Sequence, residues 1–327
     1  MTRTARIDGT GMAAPARIIT NDDLSKMVET SDEWIRTRTG IRERHVVSPG
    51  ENTSDLGLTA AREAMARAGA SPEEIDLIIF CTMSPDMVSP STACILQAKL
   101  GARNAAAVDI SAACSGFVYG LSLARGAIVS GEAACVLLVA GESMSRFIDW
   151  TDRTTCVLFG DAAGALVLRP SSNGSGILST VLGADGTNSG LISIPAGGSA
   201  LPASHETVDG RMHYMKMVGA EVFKNGVRRM TRSTQKALLK AGVSVEELDL
   251  FIPHQANKRI IDGVVDALGM DHGKVFLNVE KYGNTSAASI PVALHEAVLA
   301  GRIKKGDLVG MVSFGGGLTW GAAVVRW

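Results

Sequence analysis

Several features that mark other classes of protein are scarce in this 327-residue sequence. It has five cysteines, an odd number with no C-x-x-C pair, which argues against a disulfide framework or a structural zinc site and fits a reducing cytosol. The 32 Lys and Arg nearly balance the 33 Asp and Glu, so no chain-wide cationic field could hold a nucleic acid. The uninterrupted apolar runs are far shorter than the ~18 residues of a membrane span, and the basic start has no apolar segment after it. We therefore expect a cytoplasmic protein that binds neither nucleic acid nor membrane.

The composition is that of a globular protein with a sizeable core. Hydrophobic residues make up 46% and charged residues 20% of the chain, and the 36 glycines show no Gly-X-Y period, so they indicate tight turns. The length predicts two domains or two halves of one large domain.

The sequence contains an internal repeat. Residues 68–79 (AGASPEEIDLII) and 241–252 (AGVSVEELDLFI) are identical at eight of twelve positions, with an offset of 173. The alternative to duplication is that both segments carry a sequence pattern that is common where a helix ends and a strand follows. Each copy, however, follows a helical stretch, ends it at a glycine and leads into a short apolar strand, which favours an ancient duplication.

Strands and helices alternate in both halves. Strands are predicted at 76–81, 105–110, 134–140 and 157–168, and again at 249–253, 275–279, 308–314 and 319–326. Several are apolar on both faces, which is typical of buried sheets covered by helices. We predict a layered α/β fold of two duplicated halves with pseudo-twofold symmetry, residues 1–170 and residues 171–327, the second opening with a loop-rich linker to residue 204. The functional site should lie where the halves meet.

Cys114 is the strongest candidate nucleophile among the cysteines. It stands where an apolar strand ends and a long apolar helix begins. A helix N-terminus should favour the thiolate and lower the thiol pKa, and the small neighbours leave room for a carbonyl. The alternative is a small buried hydrophobic residue, the usual role of a free cysteine.

His254 and Asn284 are weaker candidates when taken singly. His254 follows the second repeated strand in IPHQAN, and Asn284 lies in YGNTSAAS, a small-residue loop before a helix. A histidine after a strand is more often a surface or hydrogen-bonded residue, and an asparagine after glycine is more often a turn former.

Several long motifs in one order resemble the thiolase-like condensing enzymes and, among them, the β-ketoacyl-[acyl-carrier-protein] synthase III family. They are TSDEWIRTRTGIRER at 30–44, the Cys114 segment, TDR and FGDAAGA within 151–165, GAEVFK at 219–224, PHQAN, GNTSAAS and FGGGLTWGAA. The resemblance covers nearly the whole chain and implies the thiolase-like αβαβα layering. Elongating ketosynthases use a second histidine where this chain has Asn284, and biosynthetic thiolases need a late second cysteine, whereas none follows Cys156. Chalcone-synthase-type enzymes share Cys, His and Asn but usually have longer chains without the TSDEW phrase.

The resemblance implies a two-stage reaction. Cys114 would accept the acyl group of an acyl-CoA primer, and His254 and Asn284 would stabilise the enolate formed when malonyl-[acyl carrier protein] loses CO2. The main-chain N–H groups of Cys114 and Gly316 would hold the oxyanion. The product would be a 3-oxoacyl-[acyl carrier protein] that begins fatty-acid synthesis.

Further residues match positions that bind coenzyme A or the carrier protein in the family. Trp34 and Arg38 would sandwich the adenine, with Thr30 and Arg153 at the same nucleotide end; without the match, the arginines would be read as a solvated face. The remaining positions are Phe223 and Asn257 for the pantetheine tunnel and Lys224 and Arg259 for carrier-protein docking. The aspartates at 262 and 266 depart from the basic docking face we expect.

The resemblance also implies partners and alternatives. We expect a short primer such as acetyl-CoA, malonyl carrier protein as the second substrate, no metal, no cofactor beyond the CoA thioester, and a homodimer contacted through the loop at 83–91. The alternative enzyme is a diverged condensing enzyme or acyltransferase of secondary metabolism with another acceptor. A non-catalytic scaffold would be expected to have lost Cys114, His254 or Asn284, and all three are present.

Overall fold

The computed structural model describes residues 4–327. Its strands, in chain order, are β1 Thr4–Ala13, β2 Ile18–Thr20, β3 Glu43–His45, β4 Leu77–Cys81, β5 Ala106–Ile110, β6 Val136–Glu142, β7 Ala162–Ser171, β8 Gly176–Ala184, β9 Ile192–Ser193, β10 Lys216–Met217, β11 Leu250–Pro253, β12 Leu308–Gly315 and β13 Thr319–Arg326. Its α-helices are α1 Asn21–Ser25, α2 Asp32–Thr39, α3 Thr53–Ala68, α4 Thr92–Leu100, α5 Gly116–Ser130, α6 Arg153–Cys156, α7 His205–Asp209, α8 Gly219–Ala241, α9 Lys258–Leu268, α10 Val279–Tyr282 and α11 Ser289–Leu299. Short 3-10 turns, among them Ala113–Ser115 and Ser286–Ala288, complete the chain.

Two mixed sheets share one plan. The first has the strand order β1-β7-β6-β4-β5, and the second has the strand order β8-β13-β12-β11. In both sheets the first two pairings are antiparallel and the next is parallel. The repeated phrases form β4 and β11, which hold equivalent places. The predicted pseudo-twofold fold is confirmed.

The second sheet lacks a full fifth strand. Where β5 pairs with β4 in the first half, only a single parallel bridge joins Phe251 to Val275 in the second. The strand predicted at 275–279 is therefore wrong: a 3-10 turn precedes Val275, and α10 begins at Val279. These two turns leave too little extended chain for a strand.

Helices cover and separate the sheets. α3 and α4 pack on the outer face of the first sheet, and α8 and α9 pack on the second, while α5 and α11 lie between the sheets. The central layer buries Leu121 of α5 and Leu294 of α11 against Ile79 and Ile252 of the two repeated strands. Apolar area removed from water on both faces of each sheet is the main stabilising contribution here.

The helix ends follow the repeated sequence. Gly69 after α3 and Gly242 after α8 both adopt the left-handed conformation, with φ of 58° and 71°. Glycine takes this conformation without a Cβ penalty, so the chain can turn from helix to strand within a few residues.

Two further predictions need correction. Residues 176–184, assigned to a loop-rich linker, form β8, an edge strand paired with β13 through main-chain hydrogen bonds. The strand predicted from 157 begins only at Ala162, because 158–160 pairs instead with Asn284 of the second half.

One helical stretch of the described chain, Ala113–Ser130, has the length and apolar composition that a membrane span also requires. It contains no long uninterrupted apolar run, because glycines, serines and an arginine interrupt the sequence. It includes α5, which packs between the two sheets.

Candidate active site

Cys114, His254 and Asn284, which are far apart in the sequence, line one cavity of about 250 Å³. The cavity lies where the carboxyl ends of β11 and β12 meet the turn that follows β5. Phe314 and Gly315 at the end of β12 complete the wall around the thiol. Both halves therefore contribute to the site, as the repeat predicts.

Cys114 lies on a tight turn between β5 and α5. Ala113, the residue before it, has a φ of 47°, a value that non-glycine residues seldom adopt. Gly315 faces the turn so closely that a Cβ there would lie 2.7 Å from the Cys114 nitrogen. The elbow and the glycine together bring the β12 backbone against the nucleophile, and such strain is typical of functional sites.

The same elbow occurs in the second half. Ser286 has a φ of 50° and follows Ala113 at the repeat offset of 173. One elbow carries Cys114 and the other directly follows Asn284, so the duplication placed two strained turns at the junction of the halves.

The prediction of a thiol with a lowered pKa is wrong. Burial raises the pKa of Cys114 to about 12, the Ser286 hydroxyl opposes this shift, and the Glu142 carboxylate adds to it. Loss of hydration at this depth outweighs what a helix N-terminus contributes.

His254 is held immediately after β11. Its main-chain N–H donates to the Val312 carbonyl of β12 at 2.8 Å, and the residue is 3% exposed. The next residue, Gln255, is buried and donates through its amide to the carbonyls of Pro253 and Phe276. The imidazole therefore has a fixed position at the cavity wall.

The hydrogen bonds of Ser289 assign the His254 tautomer. Ser289 Oγ accepts the Gln255 N–H at 3.3 Å and lies 2.7 Å from His254 Nδ1. Nδ1 is the acceptor that the hydrogen bonds of the described residues offer to the Ser289 hydroxyl proton, and on this basis we assign the imidazole proton to Nε2. Burial lowers the pKa of His254 to about 3. The ring is neutral and presents an N–H donor.

Asn284 is fixed by both halves. Its N–H donates to the Leu158 carbonyl at 2.8 Å, and its carbonyl accepts the Gly160 N–H at 3.1 Å. Its side-chain Oδ1 accepts the Ser286 N–H at 2.9 Å, so the amide nitrogen is the end left for the cavity. The site thus presents two neutral donors, from His254 and Asn284.

Gly316 and Cys114 share the same wall. Both line the cavity, and the N–H of Cys114 lies against its own sulfur, where it helps to lower the thiol pKa. Gly316 follows β12 and belongs to the segment that abuts the Cys114 elbow.

The four residues predicted for the nucleotide end lie near one another. The guanidinium carbons of Arg38 and Arg153 lie 4.6 Å and 4.9 Å from the centroid of the Trp34 ring. Arg153 also donates to the Glu29 carbonyl at 2.9 Å, and the neighbouring Thr30 keeps a buried hydroxyl without a hydrogen bond among the described residues. The Arg38 guanidinium therefore lies on the Trp34 ring itself, and the expected sandwich of an adenine between these two side chains is not formed in this structure.

The tunnel and docking residues occupy neighbouring positions. Phe223 and Asn257 line the cavity, and Asn257 caps α9 through the Arg259 N–H. Arg259 lies with its guanidinium carbon 5.8 Å from the Phe223 ring centroid, and Lys224 is exposed beside it on α8. The cavity therefore reaches the surface at a basic rim.

The two aspartates that depart from the expected docking face have partners of their own. Asp262 forms an ion pair with Lys258 at 2.7 Å, and Asp266 lies 2.9 Å from His272 Nε2. The ion pair with Lys258 offsets the charge of Asp262, so this aspartate opposes an acidic partner less than the sequence suggests.

Several residues of the site were missed from the sequence. Ser289 and Ser286 lie within the GNTSAAS motif but show no pattern that assigns a role. Glu142 could have been noticed as a lone acid ending the apolar strand VLLVAGE. Ile192 and Met215 reach the cavity from the segment that was read as a linker and its continuation.

The remaining cysteines differ from Cys114. Cys81, Cys135 and Cys156 are buried, Cys94 is exposed, and all are free thiols. Among the residues that the structure describes, no group of three or more His, Cys, Asp or Glu side chains is placed to hold a metal ion.

Comparisons with known proteins agree along the whole chain. Residues 108–186 match the family 3-Oxoacyl-[acyl-carrier-protein (ACP)] synthase III, and residues 238–327 match its C-terminal family. The β-ketoacyl-[acyl-carrier-protein] synthase III of Symbiobacterium thermophilum is 57% identical over 99% of this chain and 98% of that protein.

Solved structures give the same result. The 3-oxoacyl-[acyl-carrier-protein] synthase III of Aquifex aeolicus is 48% identical with a TM-score of 0.92, covering 99% of this chain and 100% of that one. The priming β-ketosynthase of the R1128 polyketide pathway is 38% identical with a TM-score of 0.92, covering 99% and 96%. OleA of Xanthomonas campestris, at 23% identity and a TM-score of 0.87, shares the fold.

The duplicated sheets and the cysteine, histidine and asparagine at their junction define a thiolase-fold condensing enzyme, a transferase of acyl groups. Identity over nearly the full length narrows the class: the chain belongs to the β-ketoacyl-[acyl-carrier-protein] synthase III family of fatty-acid biosynthesis.

Proposed function

We propose that this enzyme condenses a short acyl-CoA primer, such as acetyl-CoA, with malonyl-[acyl carrier protein] to give a 3-oxoacyl-[acyl carrier protein]. The observation that carries the proposal is the convergence of one thiol and two neutral hydrogen-bond donors on a single cavity. Cys114 attacks the thioester carbonyl, CoA leaves, and an acyl-enzyme forms. The main-chain N–H groups of Cys114 and Gly316 stabilise the oxyanion of this step.

The donors suit the second stage. When the malonyl group loses CO2, negative charge develops on its thioester oxygen. The N–H groups of neutral His254 and Asn284 stabilise that charge without a reorganisation cost, and the resulting carbanion attacks the acyl group on Cys114. We propose that the reaction uses no metal or cofactor beyond the CoA thioester, since these donors supply the stabilisation.

Substrate contacts follow from the rim of the cavity. The nucleotide end of CoA binds at four residues, Trp34, Arg38, Arg153 and Thr30. The position of the Arg38 and Arg153 guanidinium groups beside the Trp34 ring supports this assignment. Phe223 and Asn257 line the path of the pantetheine arm, and Lys224 and Arg259 meet the acidic carrier protein.

The proposed assembly is a cytoplasmic homodimer whose protomers each contain the two halves 1–170 and 171–327. β5 is an edge strand of the first sheet, and Val108 on it is 45% exposed. Met87 and Val88 in the predicted contact loop are 49% and 95% exposed. An open strand edge beside exposed apolar side chains is suited to pairing with a second copy. The free thiols are compatible with a reducing compartment.

Peptide mass mapping after incubation with a short acyl-CoA tests the nucleophile, because the acyl group should be found on Cys114 and on no other cysteine. In His254→Ala and Asn284→Ala, acylation should continue while malonyl decarboxylation falls about 100- to 1000-fold. A stable acyl label on another cysteine, or decarboxylation at the parent rate, would contradict the assignment.

A further inference from the structure

Arg44 is a fully buried cation that the reaction above does not use. It ends the motif at 30–44, is the central residue of β3 and is 0% exposed. Its hydrogen-bond acceptors among residues 4–327 are all neutral oxygens, and its Nε has no acceptor there. A guanidinium stays protonated in proteins, and a buried charge without a counter-ion is costly. Such a residue calls for a functional explanation.

The Arg44 guanidinium joins two separate parts of the first half. Nη1 donates to the Ile19 carbonyl at 3.2 Å and to Asn21 Oδ1 at 2.9 Å. Nη2 donates to the Val157 carbonyl at 2.8 Å. Asn21 is itself fixed, because its Nδ2 donates to the Ile41 carbonyl at 2.8 Å. The planar group therefore holds the peptide after Val157 against a rigid support.

Val157 leads directly into residues 158–160, the segment that pairs with Asn284. The Asn284 N–H donates to the Leu158 carbonyl at 2.8 Å, and the Asn284 carbonyl accepts the Gly160 N–H at 3.1 Å. These two hydrogen bonds form an isolated parallel bridge between the two halves of the chain. A shift of the peptide after Val157 would therefore move the Asn284 main chain.

The stem of the Arg44 side chain packs against the same bridge. A Cβ added to Gly160 would lie 3.0 Å from the Arg44 Cβ, and one added to Gly283 would lie 3.5 Å from the same atom. Gly283 immediately precedes Asn284, and its φ of 65° is one that glycine adopts without a Cβ penalty. Arg44 thus contacts both sides of the bridge that carries Asn284.

We propose that Arg44 is a positioning residue for decarboxylation, which sets the place of the Asn284 amide by holding this bridge. The inference rests on Asn284 being a donor to the enolate, as proposed above. Asn284 Oδ1 accepts the Ser286 N–H at 2.9 Å, so the position of its Nδ2 follows that of the main chain. A donor must lie about 2.7 to 3.1 Å from the developing oxyanion, so a small shift weakens it. Arg44 itself does not line the cavity.

The test begins with Arg44→Lys, which keeps the positive charge and replaces the planar fork by a single ammonium group. One ammonium cannot reproduce the bonds to both Asn21 and Val157. Single-turnover CO2 release from malonyl-[acyl carrier protein] should fall about tenfold, because the Asn284 amide is displaced. CoA release at saturating acyl-CoA should change less than about threefold. Equal losses in both reactions would assign Arg44 to the fold as a whole and overturn the proposal.

The decisive measurement introduces Arg44→Lys into Asn284→Ala. If Arg44 acts through the Asn284 amide, its substitution has little left to remove once that amide is absent. The double variant should therefore release CO2 at a rate within about twofold of Asn284→Ala alone. A further tenfold fall in the double variant would show an independent role and overturn the proposal. If Asn284→Ala itself decarboxylated at the parent rate, the proposed function would fail instead, so the two failures are distinguishable.

Arg169→Lys is the matched control. The Arg169 guanidinium also donates to a main-chain carbonyl of another element, that of Ala68 at 3.0 Å, but it lies on β7 outside the cavity. CO2 release by this variant should change less than about twofold. A tenfold fall in Arg169→Lys would mean that any such arginine contact affects the reaction, which would overturn the role given to Arg44.

Asn21→Ala tests the same contact independently of how Arg44→Lys folds. It removes the side-chain acceptor 2.9 Å from Arg44 Nη1 and leaves the arginine in place. We expect CO2 release to fall about threefold in the parent background and to change less than about 1.5-fold in the Asn284→Ala background. Parent-like CO2 release by Asn21→Ala, or the same threefold loss in both backgrounds, would contradict the proposal.

Discussion

Ser289 determines which nitrogen of His254 carries the proton, and Ser289→Ala should therefore slow decarboxylation. The variant removes the hydroxyl 2.7 Å from Nδ1 and leaves that buried nitrogen and the Gln255 N–H without their partner. The Nε2–H tautomer then loses its preference, and the donor that faces the enolate is less populated.

The magnitude follows from the cost of an unpaired buried group. Leaving one unsatisfied costs about 1 to 3 kcal/mol. This cost limits how strongly the hydroxyl favours the Nε2–H tautomer, and about 1.4 kcal/mol corresponds to a tenfold change, so decarboxylation should fall by at most roughly 5- to 150-fold. Acylation of Cys114 should change less than about threefold, because the imidazole addresses the enolate and not the primer.

The assay measures CO2 release from malonyl carrier protein and CoA release from the primer in separate single-turnover reactions. Ser179→Ala is the matched control, because the Ser179 hydroxyl is also buried and donates to the Ala237 carbonyl at 2.7 Å, away from the cavity. Both variants should lose similar thermal stability. Equal decarboxylation by Ser289→Ala and the parent, or an equal loss in Ser179→Ala, would refute the reasoning.

Three further predictions concern the nucleotide end of the CoA site, the Cys114 turn and the dimer. Arg38→Ala should lower kcat/KM for acyl-CoA about 2- to 30-fold and spare an acyl-pantetheine primer that has no adenine to stack on Trp34; equal losses with both primers would assign Arg38 to the fold. Gly315→Ala should abolish most acylation, since its Cβ would lie 2.7 Å from the Cys114 nitrogen; mass mapping of the acyl-enzyme measures this, and parent-like labelling would contradict the close approach. Val108→Glu should shift sedimentation toward the monomer, because a charge would stand on the exposed edge of β5; an unchanged dimer would place the interface elsewhere.

Local sequence predicted the parts of the fold that depend on short-range patterning. The repeated phrase predicted β4 and β11. It could do so because the signals that define them, a helix-ending glycine, an acidic turn and an apolar run, all lie within about a dozen residues. The same local signals failed at 176–184. There, glycine and serine neighbours suggested a loop, while pairing with β13 supplies the hydrogen bonds that make it a strand.

The sequence and the tertiary structure likewise determined different parts of the chemistry of the site. The sequence alone determined which residue types were available, a cysteine at a strand-to-helix elbow with a histidine and an asparagine in small-residue loops, and motif order related them to a family. Only the tertiary structure decided that loss of hydration raises the pKa of Cys114 and that the Ser289 hydroxyl is hydrogen-bonded to His254 Nδ1. Ionisation and hydrogen bonding depend on distance and hydration, and these arise between residues that the chain separates by up to about 170 positions.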